Sequence, residues 1–369
     1  MNIGILTYQF GTNFGGQLQC HALFNVLKSM GHNVIVINYI PYKTTHFLLN
    51  DIRRAIRLLK KDCKHESILT AYHILLDSQK MRKAFKEYQN RYLNIGPECT
   101  TPKEILAQYS QLDAIIVGSD QVWAPAHHKT GIYFLNFTPP FFGKKIAYAP
   151  CCAINNVDPL YKKQLRTCLQ SFNSISARNI ETQNFVKDLT GIKVPIVADP
   201  TFLWDFKELQ SSKKFTKKYI AVYILGEEIN GGHLQAIQKI KQAYGDLPIV
   251  SISLTASKPK FFSWADKTYW TCSPIEWINL IRNATFLYTD SFHGVAFSLK
   301  YHIPFLAYYT EEIRASRFID LKNRFSLNNI VTHTDEITLQ FPIDFVSTDA
   351  IIDELKTISL QYLTQSLNK

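Results

Sequence analysis

Several common signatures are missing from this 369-residue chain, and each absence removes a class of protein. The seven cysteines are odd in number and contain no Cys-x-x-Cys spacing, which argues against a disulfide framework or a zinc site. No apolar run approaches the length needed to span a bilayer. The first ten residues have no basic lead before their apolar stretch, so we expect a strand there rather than a signal peptide. These absences predict a protein of the reducing cytoplasm.

Nucleotide-binding and metal-binding motifs are also missing. The glycines of GTNFGG at residues 11–16 have neither the dinucleotide-binding spacing nor the Lys-Ser/Thr of a P-loop. They permit a tight turn before a helix, which either is purely structural or admits a phosphate or a hydroxyl-rich ligand. His127 and His128 are adjacent and have no suitably spaced third ligand. We therefore expect neither a metal nor a cofactor.

The composition is that of a folded protein with an uneven positive charge, since the apolar fraction is 46% and the net charge is +11. Residues 51–64 hold six basic against two acidic residues, and residues 80–91 hold five against one. Both segments have helical apolar spacing, so region 51–91 is a basic amphipathic surface. It is either a solvated helix face or a contact for anionic lipid or an anionic glycan carrier. Nucleic acid is not expected, because no recognised binding motif accompanies the charge.

Strands alternate with helices in both halves of the chain. The most strand-like segments are residues 3–7, 33–39, 114–117, 145–149, 174–178, 196–198, 219–225, 249–252, 285–289 and 305–309. This alternation predicts α/β architecture with two Rossmann-like, doubly wound domains facing a cleft. The polar residues 205–218 suggest the boundary. We therefore expect an N-terminal domain at 1–205, a C-terminal domain at 206–345, and a final helix at 346–369 that packs back on the first domain.

The segment TFLYTDSFHGVAFSLKYHIPFLAYY, residues 285–309, reads as strand, helix and strand. Asp290, Ser291, His293 and Gly294 lie where the first strand ends, which is the ligand side of such a unit. The helix start and Gly294 favour an anion, and His293 can exchange a proton near neutral pH. Alternatively, Asp290 or Ser291 only caps the helix and His293 packs against neighbouring side chains. The four together favour a functional site.

A second group of polar residues follows the strand at 114–117. Asp120 and Gln121 match hydroxyl pairs, and Trp123 offers a flat apolar face, so this group resembles a sugar site. The alternative is a helix cap with a core tryptophan. Asn13 and Gln17, after the first strand, are further candidates for binding a hydroxyl-rich ligand.

Arg178 ends a short strand-like run and could form bidentate hydrogen bonds to a carboxylate or phosphate. Alternatively it pairs with Glu181 on the next helical turn.

Four motifs together resemble the polysaccharide pyruvyl transferase family across residues 1–330. They are NFGGQLQCHAL, VGSDQVW, ARNIET followed by VADPTFL, and TDSFHGVAFSLKYHIPF. The resemblance implies a GT-B-like fold. It also implies transfer of a pyruvyl group from phosphoenolpyruvate to two hydroxyls of a sugar such as galactose, forming a cyclic ketal. The acceptor would be a surface polysaccharide such as a capsule, or its lipid-linked precursor, met in the cytoplasm or peripherally at the inner face of the membrane.

The resemblance also implies roles for the candidate residues. His293 would be the acid/base, Arg178 would clamp the donor, and Asp120 would complete the catalytic set. Some members carry an arginine where this chain has Ser291, so Arg314 or Arg317 would complete the clamp. The donor-binding set would be Ser291, Phe292, Gly294, Arg314 and Arg317, and the acceptor-binding set Asn13, Gln17, Gln121 and Trp123. The alternatives are a GT-B glycosyltransferase that uses a nucleotide-sugar, and a non-enzymatic glycan-binding module.

Overall fold

The computed structural model describes residues 1–41, 47–61, 64–211, 217–339 and 342–368. Its first sheet has six parallel strands. They are β1 (Asn2–Leu6), β2 (Asn33–Tyr39), β3 (Ile95–Cys99), β4 (Ala114–Val117), β5 (Lys144–Ala147) and β6 (Ser174–Ile175). Their spatial order is β3-β2-β1-β4-β5-β6, so the strand order reverses between β1 and β4. Ligands of open parallel sheets bind at this reversal, outside the carboxyl ends of the strands.

The second sheet repeats this topology with six more parallel strands. They are β7 (Ile220–Tyr223), β8 (Ile249–Ile252), β9 (Lys267–Tyr269), β10 (Phe286–Thr289), β11 (Phe305–Tyr308) and β12 (Ile330–Val331). The order β12-β11-β10-β7-β8-β9 places the reversal between β7 and β10. The prediction of an α/β protein with two Rossmann-like, doubly wound domains is therefore confirmed.

Helices connect the strands and close the faces of both sheets. In the described ranges they are α1 (Phe14–Ser29), α2 (Phe47–Lys61), α3 (His65–Tyr92), α4 (Pro102–Tyr109), α5 (Pro159–Gln170), α6 (Ile180–Thr190), α7 (Pro200–Leu203), α8 (His233–Tyr244), α9 (Pro274–Arg282), α10 (Phe292–Tyr301), α11 (Glu312–Arg324) and α12 (Phe345–Asn368). Within these ranges no helix combines the length and the apolar character that crossing a bilayer requires.

Some boundaries differ from the predictions for local reasons. The segment 196–198 joins the first sheet only through a bridge between Ala177 and Ile196, because the chain turns at once into α7. Helix α12 begins at Phe345, one residue before the predicted start, and the Asp344 carboxylate accepts a hydrogen bond of 3.1 Å from the Ser347 N–H. The edge strands β3, β9 and β12 have weak apolar patterns and were not predicted. Of the predicted boundary stretch, residues 212–216 lie outside the described residues, as does Cys63; the other six cysteines are buried and free.

The two halves share a continuous apolar core. Phe14, the first residue of α1, stacks on Trp277 of α9 with 5.5 Å between ring centroids. Helix α12 returns to the first half, where the Tyr362 hydroxyl donates to the Ala147 carbonyl at 2.9 Å. The Ala198 N–H donates to the Ser359 hydroxyl at 2.9 Å, and Leu363 is fully buried in the core of the first sheet. These contacts hold the start of α1 against the second half of the chain.

Candidate functional site

Two helix starts meet across the cleft, one from each sheet. Helix α10 follows β10 and is capped by Ser291, whose hydroxyl accepts from the Gly294 N–H at 3.3 Å. Helix α1 is capped by Asn13 in the same way, with 3.1 Å to the Gly16 N–H. A Cβ on Gly15 would lie 2.7 Å from His293 Cε1 and nearer still to Nδ1. The His293 ring therefore lies directly against the first turn of α1, at the strand-order reversals of both sheets.

His293 faces a buried ion pair of the first domain. Its Nε2 lies 3.7 Å from Asp199 Oδ2, beyond hydrogen-bonding distance, and has no hydrogen-bond partner among the described residues. Asp199 Oδ2 accepts a hydrogen bond of 2.9 Å from Arg178 Nη1. The three residues are only 6%, 2% and 3% exposed, respectively. A titratable ring with an unsatisfied polar atom therefore lies beside a desolvated carboxylate and a desolvated guanidinium.

Asp199 is the charge at the centre of this arrangement. Burial alone would raise its pKa, but His293, Arg178 and the Thr201 N–H together hold the pKa of the carboxyl well below its usual range. Its other oxygen accepts from the Thr201 N–H at 3.0 Å and from the Thr201 hydroxyl at 2.8 Å. Asp199 was not predicted as a site residue. Its signal was the same as that of Asp290, an acid that directly follows a short apolar segment.

Arg178 was predicted as an anion ligand, and it lies in the cleft. Burial lowers its pKa, but nearby Cys151, Asp199 and Asp120 more than compensate, so the net shift is upward and the guanidinium stays charged. Its guanidinium lies 4.6 Å from the centroid of the Phe292 ring, and its Nε and Nη2 have no hydrogen-bond partner among the described residues. These two groups can donate to a ligand.

The alternative pairing of Arg178 with Glu181 is wrong. The Glu181 carboxylate instead accepts a hydrogen bond of 2.8 Å from the Asn155 N–H.

The two arginines of α11 differ in how they are used. Arg314 donates to the Asp290 carboxylate at 3.0 Å and to the Glu311 carboxylate at 3.0 Å, so its charge is already balanced. Arg317 has a buried Nε without a hydrogen-bond partner in the described chain. Burial lowers the pKa of Arg317 to about 10, which still leaves it charged at neutral pH. Arg317 and Arg178 line one pocket, together with Phe292 and Asp199.

The predicted loop residues of α10 have structural functions that the sequence could only suggest. Ser291 is the helix cap, which was one of the two interpretations considered. Asp290 accepts from the Leu225 and Gly226 N–H groups, each at 2.6 Å, and thereby ties β10 to the loop after β7. A Cβ on Gly294 would lie 2.7 Å from the Thr289 hydroxyl oxygen, so this glycine permits close packing of helix on strand.

Two of the predicted acceptor-binding residues, Trp123 and Gln17, are buried, so the structure contradicts that role for them. Trp123 is completely buried, stacks on Phe134 at 5.2 Å and donates its indole N–H to the Tyr133 carbonyl at 2.9 Å. Its ring face therefore cannot meet a sugar. Gln17 is also buried, and its amide donates to the Gln9 carbonyl at 2.6 Å, so it supports the loop after β1.

The remaining acceptor candidates lie at the carboxyl ends of β1 and β4. Asp120 has a left-handed backbone with φ of 72°, and its Oδ1 lies 3.8 Å from Arg178 Nη2. Gln121 is half-buried and reaches the Ile313 carbonyl of the second domain at 3.5 Å. Asn13 is exposed beside the cap of α1. The structure therefore brings Asp120 next to Arg178, and so close to Asp199 and His293, while Gln121 contacts the second domain.

Across the described ranges, no cluster of three or more His, Cys, Asp or Glu side chains could hold a metal ion. The adjacent histidines have other partners, since His127 contacts the Tyr8 hydroxyl and His128 contacts the Trp123 carbonyl at 3.1 Å.

The sequence model of the polysaccharide pyruvyl transferase family matches residues 13–312. The chain belongs to the polysaccharide pyruvyl transferase family. The match runs from the cap of α1 through Arg178, Asp199 and His293 to the start of α11, and so includes both sides of the cleft. No curated protein matches the sequence significantly.

Solved structures give the same fold at low sequence identity. The UDP-GlcNAc 2-epimerase of Methanocaldococcus jannaschii, in complex with UDP-GlcNAc and UDP, is similar with a TM-score of 0.52 and 11% identity over 99% of this chain and 100% of that chain. The UDP-GlcNAc 2-epimerase of Neisseria meningitidis, bound to UDP-GlcNAc, has a TM-score of 0.52 and 11% identity over 100% and 99% of the two chains. The two-domain, GT-B-like prediction is therefore confirmed, and the likeness extends to the fold alone.

Proposed function

We propose that this family member transfers a pyruvyl group from phosphoenolpyruvate to two hydroxyls of a sugar and forms a cyclic ketal. The acceptor is galactose or a related sugar in a surface polysaccharide, such as a capsule, or in its lipid-linked precursor. The enzyme works in the cytoplasm, at the inner face of the membrane, and needs neither a metal nor another cofactor. The observation that carries the proposal is the buried His293 Nε2, which has no hydrogen-bond partner in the described ranges and lies beside the Asp199–Arg178 ion pair.

The donor requires an anion clamp, and the cleft supplies one. Phosphoenolpyruvate has a carboxylate and a phosphate, and each needs charge-assisted donors when it leaves water. Among the described residues, two buried nitrogens of Arg178 (Nε and Nη2) and one of Arg317 (Nε) have no hydrogen-bond partner. The first N–H groups of α10 have no partner within the helix and add favourable partial charge. We assign Arg178 and Arg317 to the donor, while Arg314 holds Asp290 in place.

The reaction requires a proton at the methylene carbon of phosphoenolpyruvate, which His293 supplies. Protonation makes the neighbouring carbon electrophilic, and a sugar hydroxyl attacks it as His293 recovers a proton. The carbon–oxygen bond to phosphate then breaks, a second hydroxyl closes the ring, and its proton leaves with the phosphate. The net products are one ketal and inorganic phosphate. Asp120 and Gln121, with the exposed Asn13, are assigned to orienting the hydroxyls at the acceptor side.

The proposal is tested by incubating the protein with phosphoenolpyruvate and a lipid-linked, galactose-containing acceptor while phosphate release is measured. His293→Asn should reduce the rate about 100-fold or more, because general acid catalysis typically contributes that much. The matched control is His302→Asn, at the other end of α10, where the side chain is 51% exposed and the backbone is left-handed. Phosphate release that persists in His293→Asn would remove His293 from the mechanism. Release of UDP from a nucleotide-sugar would instead favour a glycosyltransferase.

A further inference from the structure

Helices α2 and α3 form a hairpin that is attached to the second domain by its polar side. Ala55, Ala71 and Ile74 form the contact between the two helices. Arg54 donates to the Thr255 and Ala256 carbonyls, each at 2.9 Å, and so fixes the hairpin to the loop after β8. The opposite side of the hairpin is exposed.

The exposed side carries an unusual amount of apolar surface. Of nineteen exposed large apolar residues in the described chain, nine belong to this hairpin. Eight of them define what we call the hairpin apolar surface: Leu48, Leu49, Ile52 and Ile56 of α2, and Ile68, Tyr72, Leu75 and Leu76 of α3. Leu48 and Tyr72 are 64% and 56% exposed. Single exposed apolar residues need no explanation, but a concentrated patch marks an interaction surface.

The spacing of these residues shows that the surface is continuous along each helix. Leu48, Ile52 and Ile56 are separated by four residues, and Ile68 and Tyr72 repeat the same step. Residues three or four apart lie on one face of a helix, so each helix presents a stripe rather than scattered side chains.

Exposed cations border the apolar surface, and nearby acids are already paired. Arg53, Arg57 and Lys60 are exposed and lie, by helical rotation, next to the stripe of α2. The buried Asp51 is paired with both Arg54 and Arg82, so its charge does not offset the exposed cations. The surface is therefore apolar with a positive border.

The positive border of the hairpin apolar surface favours an anionic bilayer over a second copy of the chain as its partner. A second copy of the chain, docked through a two-fold axis, would bring the same cations of both copies together, which is unfavourable. An anionic bilayer instead offers negative headgroups to the cations and acyl chains to the apolar stripe.

We propose that the α2–α3 hairpin is a membrane anchor that inserts the hairpin apolar surface into an anionic bilayer while its cations contact the headgroups. The attachment would also bring the cleft close to a lipid-linked acceptor. Arg54 of the hairpin binds the carbonyls of Thr255 and Ala256, and the next residue, Ser257, contacts Thr12 across the cleft at 3.4 Å. That consequence rests on the proposed function, whereas the membrane contact does not.

The test is flotation of the full-length protein with vesicles, in the absence of phosphoenolpyruvate and acceptor. One set contains phosphatidylcholine alone, and the other contains equal parts of phosphatidylcholine and phosphatidylglycerol. We expect strong binding to the anionic set only. The double variant Ile52→Gln/Ile56→Gln should lower the partition coefficient at least about tenfold, because each inserted aliphatic side chain contributes substantially. Each of Arg53→Gln and Arg57→Gln should lower it about fivefold.

A matched control separates the anchor from general hydrophobicity. Leu160→Gln and Leu234→Gln remove side chains that are 76% and 66% exposed on α5 and α8, and binding should be unchanged. Circular dichroism verifies that all variants fold. Equal binding to both vesicle sets would overturn the proposal, as would an unchanged Ile52→Gln/Ile56→Gln variant. It would also be overturned if the wild type did not bind vesicles and sedimented as a dimer that this variant dissociates. Because no substrate is present, none of these outcomes depends on the proposed reaction.

Discussion

Replacing Gly15 by alanine tests whether the position of His293 controls activity. Gly15 lies in the first turn of α1, and its backbone is helical, so alanine fits the local conformation. The added methyl group would, however, lie 2.7 Å from His293 Cε1 and nearer still to Nδ1. The imidazole is the mobile partner, so it must rotate away. Its Nε2 would then leave the position opposite Asp199.

Gly15→Ala should change the stability only slightly and lower the activity strongly. Alanine in place of glycine inside a helix contributes up to about 1 kcal/mol of stability, which offsets much of the cost of displacing one side chain. Loss of a positioned general acid, in contrast, lowers a rate about 100-fold to 10,000-fold. We therefore expect kcat of Gly15→Ala to fall about 100-fold while the free energy of unfolding changes by about 1 kcal/mol or less.

The assay measures phosphate release from phosphoenolpyruvate together with chemical denaturation of the same preparation. The matched control is Gly16→Ala, one residue further, where the nearest atom to the added methyl is the Tyr8 carbonyl oxygen at 3.2 Å. A histidine-labelled NMR spectrum would show the His293 resonances moving in Gly15→Ala alone. Wild-type kcat in Gly15→Ala, or an equal loss in Gly16→Ala, would refute this account of the contact.

Four further substitutions separate structural from ligand-binding residues. Asp199→Asn should lower the free energy of unfolding by about 3 kcal/mol at pH 7, since it leaves a buried guanidinium without its counter-charge. Folding lowers the pKa of Asp199, so the loss of unfolding free energy in this variant should have its full size above about pH 4 and should shrink as the pH falls further. Denaturation of the wild type and the variant at several pH values measures this dependence. Arg317→Ala should raise KM for phosphoenolpyruvate about tenfold to 100-fold. Arg314→Ala should mainly lower the free energy of unfolding, by about 3 kcal/mol, because the buried Asp290 carboxylate loses its cation. Steady-state kinetics and denaturation therefore distinguish the Arg317 variant from the Arg314 variant. Trp123→Phe should lower stability by about 2 kcal/mol through the lost indole hydrogen bond and leave KM for the acceptor unchanged, and a raised KM would restore the sugar-platform hypothesis.

The fold could be predicted from sequence because buried parallel strands carry strong local patterns. The strands at 33–39, 114–117 and 249–252 have the predicted bounds, since each is set by its apolar residues and by the turn residues beside it. An edge strand such as β12 has only two residues, both buried, and is too short to show a comparable pattern. Local pattern therefore predicts the centre of a sheet better than its edges.

The candidate site could be predicted only where its chemistry is local. His293 and Arg178 were predicted as site residues because each follows a strand-like segment, and the structure places both in the cleft. The ion pair of Asp199 with Arg178 joins residues that lie 21 positions apart, and the approach of Asp199 to His293 depends on how the two domains pack, so no local pattern encodes either contact. Trp123 shows the opposite error, because the same residue type suits a sugar platform or a core, and only its neighbours Phe134 and Tyr133 decide.

The division of the site between the domains has a mechanistic consequence. Arg178 and Asp199 belong to the first domain and His293 to the second, and the stacking of Phe14 on Trp277 holds the two together. The 3.7 Å between His293 Nε2 and Asp199 is too long for a hydrogen bond, so in the reaction that we propose the ring is not tied to the carboxylate and can donate its proton to the substrate. The same carboxylate remains close enough to attract a protonated ring once a proton has been taken from a sugar hydroxyl. In the proposed reaction, a looser domain contact would weaken that attraction, and a contact short enough for a hydrogen bond would hold the proton on the carboxylate side and oppose its transfer to the substrate.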